Sequence, residues 1–432
     1  MTTVKRATMM KPSQIAISCL VAALISSIFS TQPLAQDMNK EAANGVTVDI
    51  GRPYYDADPT VIQDKMVVLD FKGGFSTLEG GRNYARAFGK AAFAHAVEDA
   101  EKSMKQALDL DKAEALEILR ESEHLEVLKK FNGGFYRFLE GIASETEIPL
   151  EDIVLALNDG IYFAVGINAF RDKVLKKLGF IQHGCTVAGF DNGILGQNND
   201  NPIKYSGHNT LVKSSDDKIM ILTMGSPLVM LMGMSENLAV VVNTIDAFFA
   251  GHSIRDGGLP DAAIVINALL SYKTVDEVME NYRDTKMLVA LALTFADKSG
   301  GLGTIEFNAK QFIGNIILRP GDGEHHIAHT NHPRFTKSYL LRTWFSDDEG
   351  KANRLLANTF WRLDFAEDFL SASATKNAQE VQQLFRTYPV LIPGSGGDDF
   401  RTTVSVVWDI NNQTAHISPD RPDITEYESI GW

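Results

Sequence analysis

The sequence predicts an α+β protein in which antiparallel sheets carry helices on their outer faces, behind a mainly helical N-terminal segment. Three observations predict it. The hydrophobic period changes from that of a helix to that of a strand at about Cys185. The short apolar runs that follow are punctuated by tight-turn signals, Asn192-Gly193 and Asn411-Asn412. Beyond Cys185 the order is a run of strands, then helices, then strands again.

Before Cys185 the reading is helical. Gly73-Gly74 and Gly80-Gly81 punctuate the start of a region, Asn83 to Lys130, dominated by alanines, leucines and charges. Ala115, Ile118, Leu119, Leu125 and Leu128 recur at helical spacing, with Lys and Glu on the solvated face. Phe135 to Ala143 is helical again, and Pro149 suits the first turn of a helix from Leu150 to Val165. Arg171 to His183 is mixed. After Cys185, strands are expected near Thr210 and at Ile219–Thr223, Leu228–Met232 and Leu238–Asn243. Helices follow at Asp261–Tyr272 and from Thr274, which forms a capping box with Glu277. Val289–Phe295, Thr304–Asn308, Phe312–Leu318 and His325–His329 read as strands, Leu355–Leu370 and Ala378–Phe385 as helices. Thr402–Asp409 and Thr414–Ile417 form a closing hairpin.

The first 35 residues stand apart. Lys5, Arg6 and Lys11 precede a 15-residue apolar run, Ile15 to Phe29, and Ser30 to Ala35 leads to a cut before Gln36. This is a signal-peptide pattern, although Pro33 stands where a small residue is usual. The run is short for a membrane span, so stable insertion is not expected; an uncleaved anchor is the alternative. The protein is therefore expected outside the cytoplasm, secreted or periplasmic. Removal of the segment takes three basic residues and no acidic ones, leaving 38 Lys+Arg against 55 Asp+Glu, a net charge of −17. So acidic a chain repels phosphate backbones, which argues against nucleic acid as a partner. Of the two cysteines Cys19 leaves with the signal. Cys185 is then alone, unable to form an internal disulfide and worth attention as a thiol.

Cys185 lies at the start of a predicted hairpin, Thr186–Phe190 returning as Ile194–Asn198. With Asn192-Gly193 as a two-residue loop, Cys185 faces Asp200 with Cβ atoms about 5 Å apart. A three-residue loop would put Asn199 there instead. If the Gly184–Cys185 bond is cut, one residue holds a thiol and a free α-amine whose ordinary pKa is about 7.7–8.0. Nucleophile and base then sit together. Gly184 suits the cut because a residue without Cβ tolerates the backbone distortion of an N-to-S acyl shift. Asp200 would orient the amine.

Several stretches follow one another in a telling order: Gly184-Cys185-Thr186, Gly196-Gln197-Asn198-Asn199-Asp200, Gly233-Met234-Ser235-Glu236-Asn237-Leu238-Ala239 running into Val242-Asn243, and His329-Thr330-Asn331-His332. Leu139-Glu140-Gly141-Ile142-Ala143, Leu155-Ala156-Leu157-Asn158 and Ala296-Asp297 before Thr304-Ile305-Glu306 add to it. Over roughly residues 70 to 420 the chain resembles the acyl-coenzyme A:6-aminopenicillanic acid acyltransferase family and, more distantly, the choloylglycine hydrolases and penicillin V acylases. The resemblance implies a four-layer αββα sandwich of the N-terminal nucleophile hydrolase type, with no cofactor. It implies a pro-enzyme cleaved at Gly184–Cys185 into chains 36–184 and 185–432 that stay associated, the assembly being free to form a homo-oligomer. It implies Cys185 as nucleophile, Asp200 as partner of its α-amine, and Asn243 and Asn331 as amide donors to a tetrahedral intermediate. Arg401, in Asp399-Phe400-Arg401-Thr402-Thr403, would support Asp200 or the leaving group. Gln197 stands where the bile-salt branch has Arg, which sides the chain with the acyltransferases. Asn199, where that branch usually has an aromatic, and Ser235, where it has Asn, bear on the acyl pocket.

The expected activity is hydrolysis of a linear amide in a small-molecule substrate through a Cys185 thioester, with acyl transfer to an amine as the alternative. A reading of another class is metal binding by His325, His326, His329 and His332. On a strand these split two to a face, short of the three or four convergent ligands zinc needs. Gly394-Ser395-Gly396-Gly397 lacks the rest of a phosphate loop, and Asn412-Gln413-Thr414 is a formal sequon only.

Overall fold

The computed structural model describes residues 62–157, 184–202, 206–245, 254–307, 314–334, 349–394 and 400–432. The signal-like segment, Arg171–His183, Gly396-Gly397 and the end of the helix expected to Val165 lie outside them. No described helix is long and apolar enough to cross a membrane.

The N-terminal part begins with a strand, β1 (Val67–Phe71), not anticipated from the weak periodicity before residue 70. Among the described residues six helices follow: α1 (Leu78–Phe88), α2 (Lys90–Leu108), α3 (Lys112–Glu121), α4 (His124–Phe131), α5 (Gly133–Thr146) and α6 (Leu150–Ala156). The long helical stretch read from the sequence is thus divided, at residues whose backbone turns to positive φ: Gly89 at 82°, Asp109 at 55° and Glu123 at 51°. Caps set several of the starts. The Thr77 hydroxyl accepts from Gly80 N and the Asn132 side chain accepts from Phe135 N, while Asp111 and Glu114 form a capping box. Phe71, Phe75, Tyr84 and Phe138 join β1 to α1 and α5 through ring contacts, Phe71–Phe75 at 5.0 Å and Tyr84–Phe138 at 5.2 Å.

The rest of the chain supplies β2 (Gly184–Phe190), β3 (Ile194–Pro202), β4 (Asn209–Ser214), β5 (Ile219–Met224), β6 (Met230–Met234), β7 (Leu238–Thr244), α7 (Asp261–Ser271), α8 (Val275–Tyr282), β8 (Leu291–Asp297), β9 (Leu302–Glu306), β10 (Ile316–Leu318), β11 (His326–His329), α9 (Glu349–Ala372), α10 (Ala378–Phe385), β12 (Phe400–Asp409), β13 (Thr414–Ser418) and β14 (Glu428–Ile430). One sheet runs β1-β4-β5-β6-β7-β8-β9-β10 and the other β11-β2-β3-β12-β13-β14. All pairings are antiparallel except β1 with β4.

Helices α7 and α8 lie on the first sheet, α9 and α10 on the second, and β2 and β3 face β7 and β8 between the sheets. This is the four-layer αββα sandwich. The period-two pattern explains both cores. Val187, Leu195 and Val406 point into the inter-sheet core. Their neighbours Ala188, Ile194 and Val407 point outward, onto Leu363, Ala366 and Leu370 of α9 and Phe385 of α10.

The hairpin of β2 and β3 corrects the two-residue loop. Phe190 pairs with Ile194 and Cys185 with Asn199, so the loop is Asp191-Asn192-Gly193. Gly193 has φ 81°, and Asn192 is not among the positive-φ residues. A primed two-residue turn needs both; one left-handed glycine fits the three-residue loop. Tertiary contacts hold it: Ile410 N donates to Gly193 O at 3.0 Å, and Asn411 Nδ2 to Asn192 O at 2.7 Å. A one-residue slip exchanges the faces of β3. Gln197 and Asn199 therefore share the inter-sheet side with Cys185, while Asn198 and Asp200 face the helices.

Candidate active site

Cys185 is the second residue of β2, 4% exposed, and its backbone is held on both sides by side chains. Its N–H donates to Asn331 Oδ1 at 2.8 Å. Its carbonyl accepts from Asn243 Nδ2 at 3.1 Å and from Arg362 Nη1 at 2.7 Å. Asn243 comes from β7 of the opposite sheet and Asn331 from the turn after β11, so side chains from both sheets converge on this residue. Asn331 Nδ2 donates to Thr244 O at 2.9 Å, which ties the same group back to β7. Gln197 braces the layer below, accepting from Val242 N and donating to Val242 O.

Asp200 is fully buried and pairs in register with Gly184, the residue before the thiol. Thr402 Oγ1 donates to its Oδ1 at 2.5 Å, and its Oδ2 meets no hydrogen-bond partner among the described residues. Burial pushes the carboxyl up to about 8, against the Arg362 charge and the Thr402 hydroxyl, which pull it down. Burial, and then the Asp200 charge, push the Cys185 thiol up to about 12; the Asp200 backbone N–H, Arg362 and Gln197 offset only part of this. With Gly184 and Cys185 joined, burial keeps the sulfur a protonated thiol. Such a thiol is a weak nucleophile.

Of the five residues singled out from the sequence, Cys185, Asn243 and Asn331 are in direct contact, and Asp200 lies beside the Gly184–Cys185 bond. Arg401 is not brought to Asp200. Its guanidinium donates to Ser206 Oγ and to Asp420 Oδ2 at 3.0 Å, and it is the next residue, Thr402, that reaches Asp200. The four clustered histidines also part company. His325 Nδ1 lies 2.6 Å from Asp191 Oδ2, and His326 Nε2 lies 3.3 Å from Ser371 Oγ. His329 Nε2 lies 3.0 Å from the buried Glu306 Oε1, and His332 Nδ1 lies 3.1 Å from Thr359 Oγ1. Among the described residues no group of three or more His, Cys, Asp or Glu is placed to hold a metal ion.

With that geometry in place, the comparison with known families is decisive. The model of the acyl-coenzyme A:6-aminopenicillanic acid acyltransferase family matches residues 187–419, more than half of the chain. The protein belongs to this family. The matched region starts two residues after Cys185 and takes in Asp200, Asn243, Asn331 and Arg401. Among curated proteins none matches. Among solved structures, two point variants of the conjugated bile acid hydrolase from Clostridium perfringens align at 12% and 13% identity, over 58% of this chain and 97% of theirs, with TM-scores of 0.37 and 0.38. The Caenorhabditis elegans orthologue of N-acylethanolamine-hydrolyzing acid amidase aligns at 13% identity over 58% of this chain and 99% of its own, with a TM-score of 0.38. Superpositions this loose add nothing to the architecture read from the sheets themselves.

In this member of the acyltransferase family the site holds residues that the sequence did not single out. Arg362, on α9, is 1% exposed and donates to Cys185 O, Thr186 Oγ1 and Asn331 Oδ1. Thr359, one turn earlier, has its Oγ1 accepting from Asn331 N at 3.0 Å. The signal was present: Thr359, Arg362, Leu363, Ala366 and Leu370 share one helical stripe, and an arginine on an apolar stripe is unusual. Thr402 carries no sequence signal beyond its place beside Arg401.

Proposed function

We propose that the protein is an exported, self-processing amidohydrolase whose nucleophile is the thiol of Cys185, freed as a new N-terminus by scission of the Gly184–Cys185 bond. What carries the reading is the setting of Cys185. Its nitrogen and carbonyl are both gripped, burial holds its thiol protonated, and a buried carboxyl with an oxygen unpartnered among the described residues lies opposite Gly184. After scission a charged ammonium on Cys185 would bring the neighbouring Asp200 carboxyl down toward its ordinary range.

In self-processing the sulfur attacks the Gly184 carbonyl carbon. The C–N bond breaks, the Cys185 nitrogen takes the thiol proton, and water hydrolyses the resulting thioester to a Gly184 carboxylate and a free thiol. In turnover the α-amine of Cys185 takes the thiol proton and the sulfur attacks an amide carbonyl. Asn243 and Asn331 each have a second amide hydrogen to offer the oxyanion. The leaving nitrogen takes the proton as the C–N bond breaks, and water releases the acid and restores the thiol. The substrate class is a linear amide of a small acyl group, such as an N-acyl amino acid, an acyl-homoserine lactone, a β-lactam side chain or a small peptide.

The family match names an acyltransferase, so acyl transfer is the second reading; it differs only in an amine reaching the thioester before water. Product analysis with and without added amine separates the two. Intact-mass analysis and N-terminal sequencing of active protein test the first step: two chains, one beginning at Cys185, are expected. Cys185→Ala should give a single uncleaved chain without activity, and Cys185→Ser slow cleavage with turnover reduced at least about 100-fold. Turnover by Cys185→Ala would exclude the nucleophile. Activity should also survive chelators; loss with EDTA and recovery with zinc would favour a metal enzyme.

A further inference from the structure

A guanidinium in a protein interior is costly unless its donors are met, and the cost is tolerated where the charge or the geometry serves a purpose. Arg362 reaches from α9, in the outer helical layer, through to the backbone of Cys185. Nη1 donates to Cys185 O at 2.7 Å and Thr186 Oγ1 at 2.9 Å, Nη2 to Asn331 Oδ1 at 2.9 Å, and Nε to Asn358 Oδ1 at 2.9 Å. Asn331 Oδ1 is thus shared by two donors, Arg362 and the Cys185 nitrogen. Two donors on one oxygen, with Nδ2 engaged on Thr244 O, leave the Asn331 amide one orientation.

We propose that Arg362 is the positioning residue of the new N-terminus: its planar fork fixes the Cys185 carbonyl and the Asn331 oxygen that receives the Cys185 nitrogen, and its charge keeps that nitrogen unprotonated once it is a free amine. The inference rests on the reading that Cys185 becomes N-terminal. A flexible ammonium could not span both acceptors at fixed angles, which is why the position calls for arginine. The charged and titratable groups around the nitrogen divide cleanly. Asp200 from β3 favours an ammonium, and Arg362 opposes it from the other layer. His329, from β11, is turned to Glu306. His332 is pushed down to about 3 by burial and by the neighbouring His329, Arg362 and Arg334, and so is neutral. Arg401 on β12 is engaged by Asp420. Arg334 is paired with Glu367, so among the described residues Arg362 is the cation that shares the acceptor of this nitrogen, holding the amine as a base at the pH where the thiol needs one.

The test uses the full chain with Arg362→Gln and Arg362→Lys. Three readouts are taken: processing followed by intact mass, thermal melting, and the pH dependence of kcat/KM for an amide substrate. Arg362→Gln is expected to process at least about ten-fold more slowly, and in its processed fraction the acid limb should move up by about one pH unit, because removal of a neighbouring cation makes the amine easier to protonate. Arg362→Lys keeps the charge but loses the fork, so its limb should stay near the wild-type position while processing remains slow. A Gln variant that is merely less stable, with wild-type processing and an unmoved limb, overturns the proposal. If Gln does not fold, Lys decides: slow processing with an unmoved limb supports it, and wild-type behaviour in both overturns it. Wild-type protein that is fully active with Gly184 still joined to Cys185 would sink the underlying reading as well, so the two failures are distinct.

Discussion

Asp200 shows what one buried carboxyl does to the uncleaved chain. Its ordinary pKa, about 3.9, applies when the chain is unfolded. In the folded uncleaved chain burial raises it to about 8. Between those values the unfolded state has lost the proton and the folded state retains it. The stability it contributes is therefore full below about pH 4 and is lost as pH rises toward about 8. The uncleavable Cys185→Ala protein should accordingly melt lower at pH 8 than at pH 5. Adding Asp200→Asn, whose Oδ1 can still accept from Thr402, should recover at least ~1 kcal/mol at pH 8, about 2 °C or more in Tm. Equal melting at both pH values in the single variant would contradict the assignment. At the same scale, Cys185, Asn243, Asn331 and Asp200 were legible because each sits in an ordered set of short stretches. Arg362 was not, because its partners are 177 and 31 residues away in sequence.

At the scale of elements, the packing of α1 on α5 depends on close approach. A Cβ on Gly81 would lie 1.9 Å from Phe138 O, and one on Gly141 would lie 2.1 Å from Leu78 O. Both contacts are with backbone, so no rotamer change relieves them. Gly141→Ala should cost about 1–3 kcal/mol or more, read as a fall in Tm, whereas Gly133→Ala in the same helix, with open space around the new methyl, should be near neutral. A neutral Gly141→Ala would mean that the two helices are not this close. The closeness also accounts physically for the glycine in the stretch Leu139 to Ala143. Where local chemistry defines an element, its bounds were legible: Ala378–Phe385 forms as read, and Thr274 and Glu277 make the expected capping box. Strand β6 begins two residues later than read, at Met230, because Leu228 and Val229 belong to a turn closed by Ser226, whose Oγ accepts from Leu228 N.

For the whole molecule, the N-terminal part is built into the sandwich. Strand β1 pairs with β4 along five residues, Tyr84 Oη donates to Pro227 O at 2.6 Å, and Gly73 N and Phe75 N donate to the carboxylates of Asp216 and Asp217. Phe75, Phe135 and Phe138 share one apolar core with the first sheet. If the chain is cut before Cys185, the two pieces should remain in a single native peak on size-exclusion chromatography and separate only in denaturant. Loss of the N-terminal piece from that peak without denaturant would overturn the expectation.

The sequence by itself determined the α+β class, the period switch at Cys185, the strands of the two hairpins and the limits of helices such as α7 and α10, because periodicity, caps and turn residues act within about ten positions of chain. Tertiary structure decided what depends on a distant partner. Ile410 and Asn411 select a three-residue loop and so turn Asp200 to the face away from Cys185. A pairing with β4 makes a strand of Val67–Phe71, whose own periodicity is weak. And α9, folded over the second sheet, carries the charge of Arg362 to a backbone that no local pattern could have linked to it.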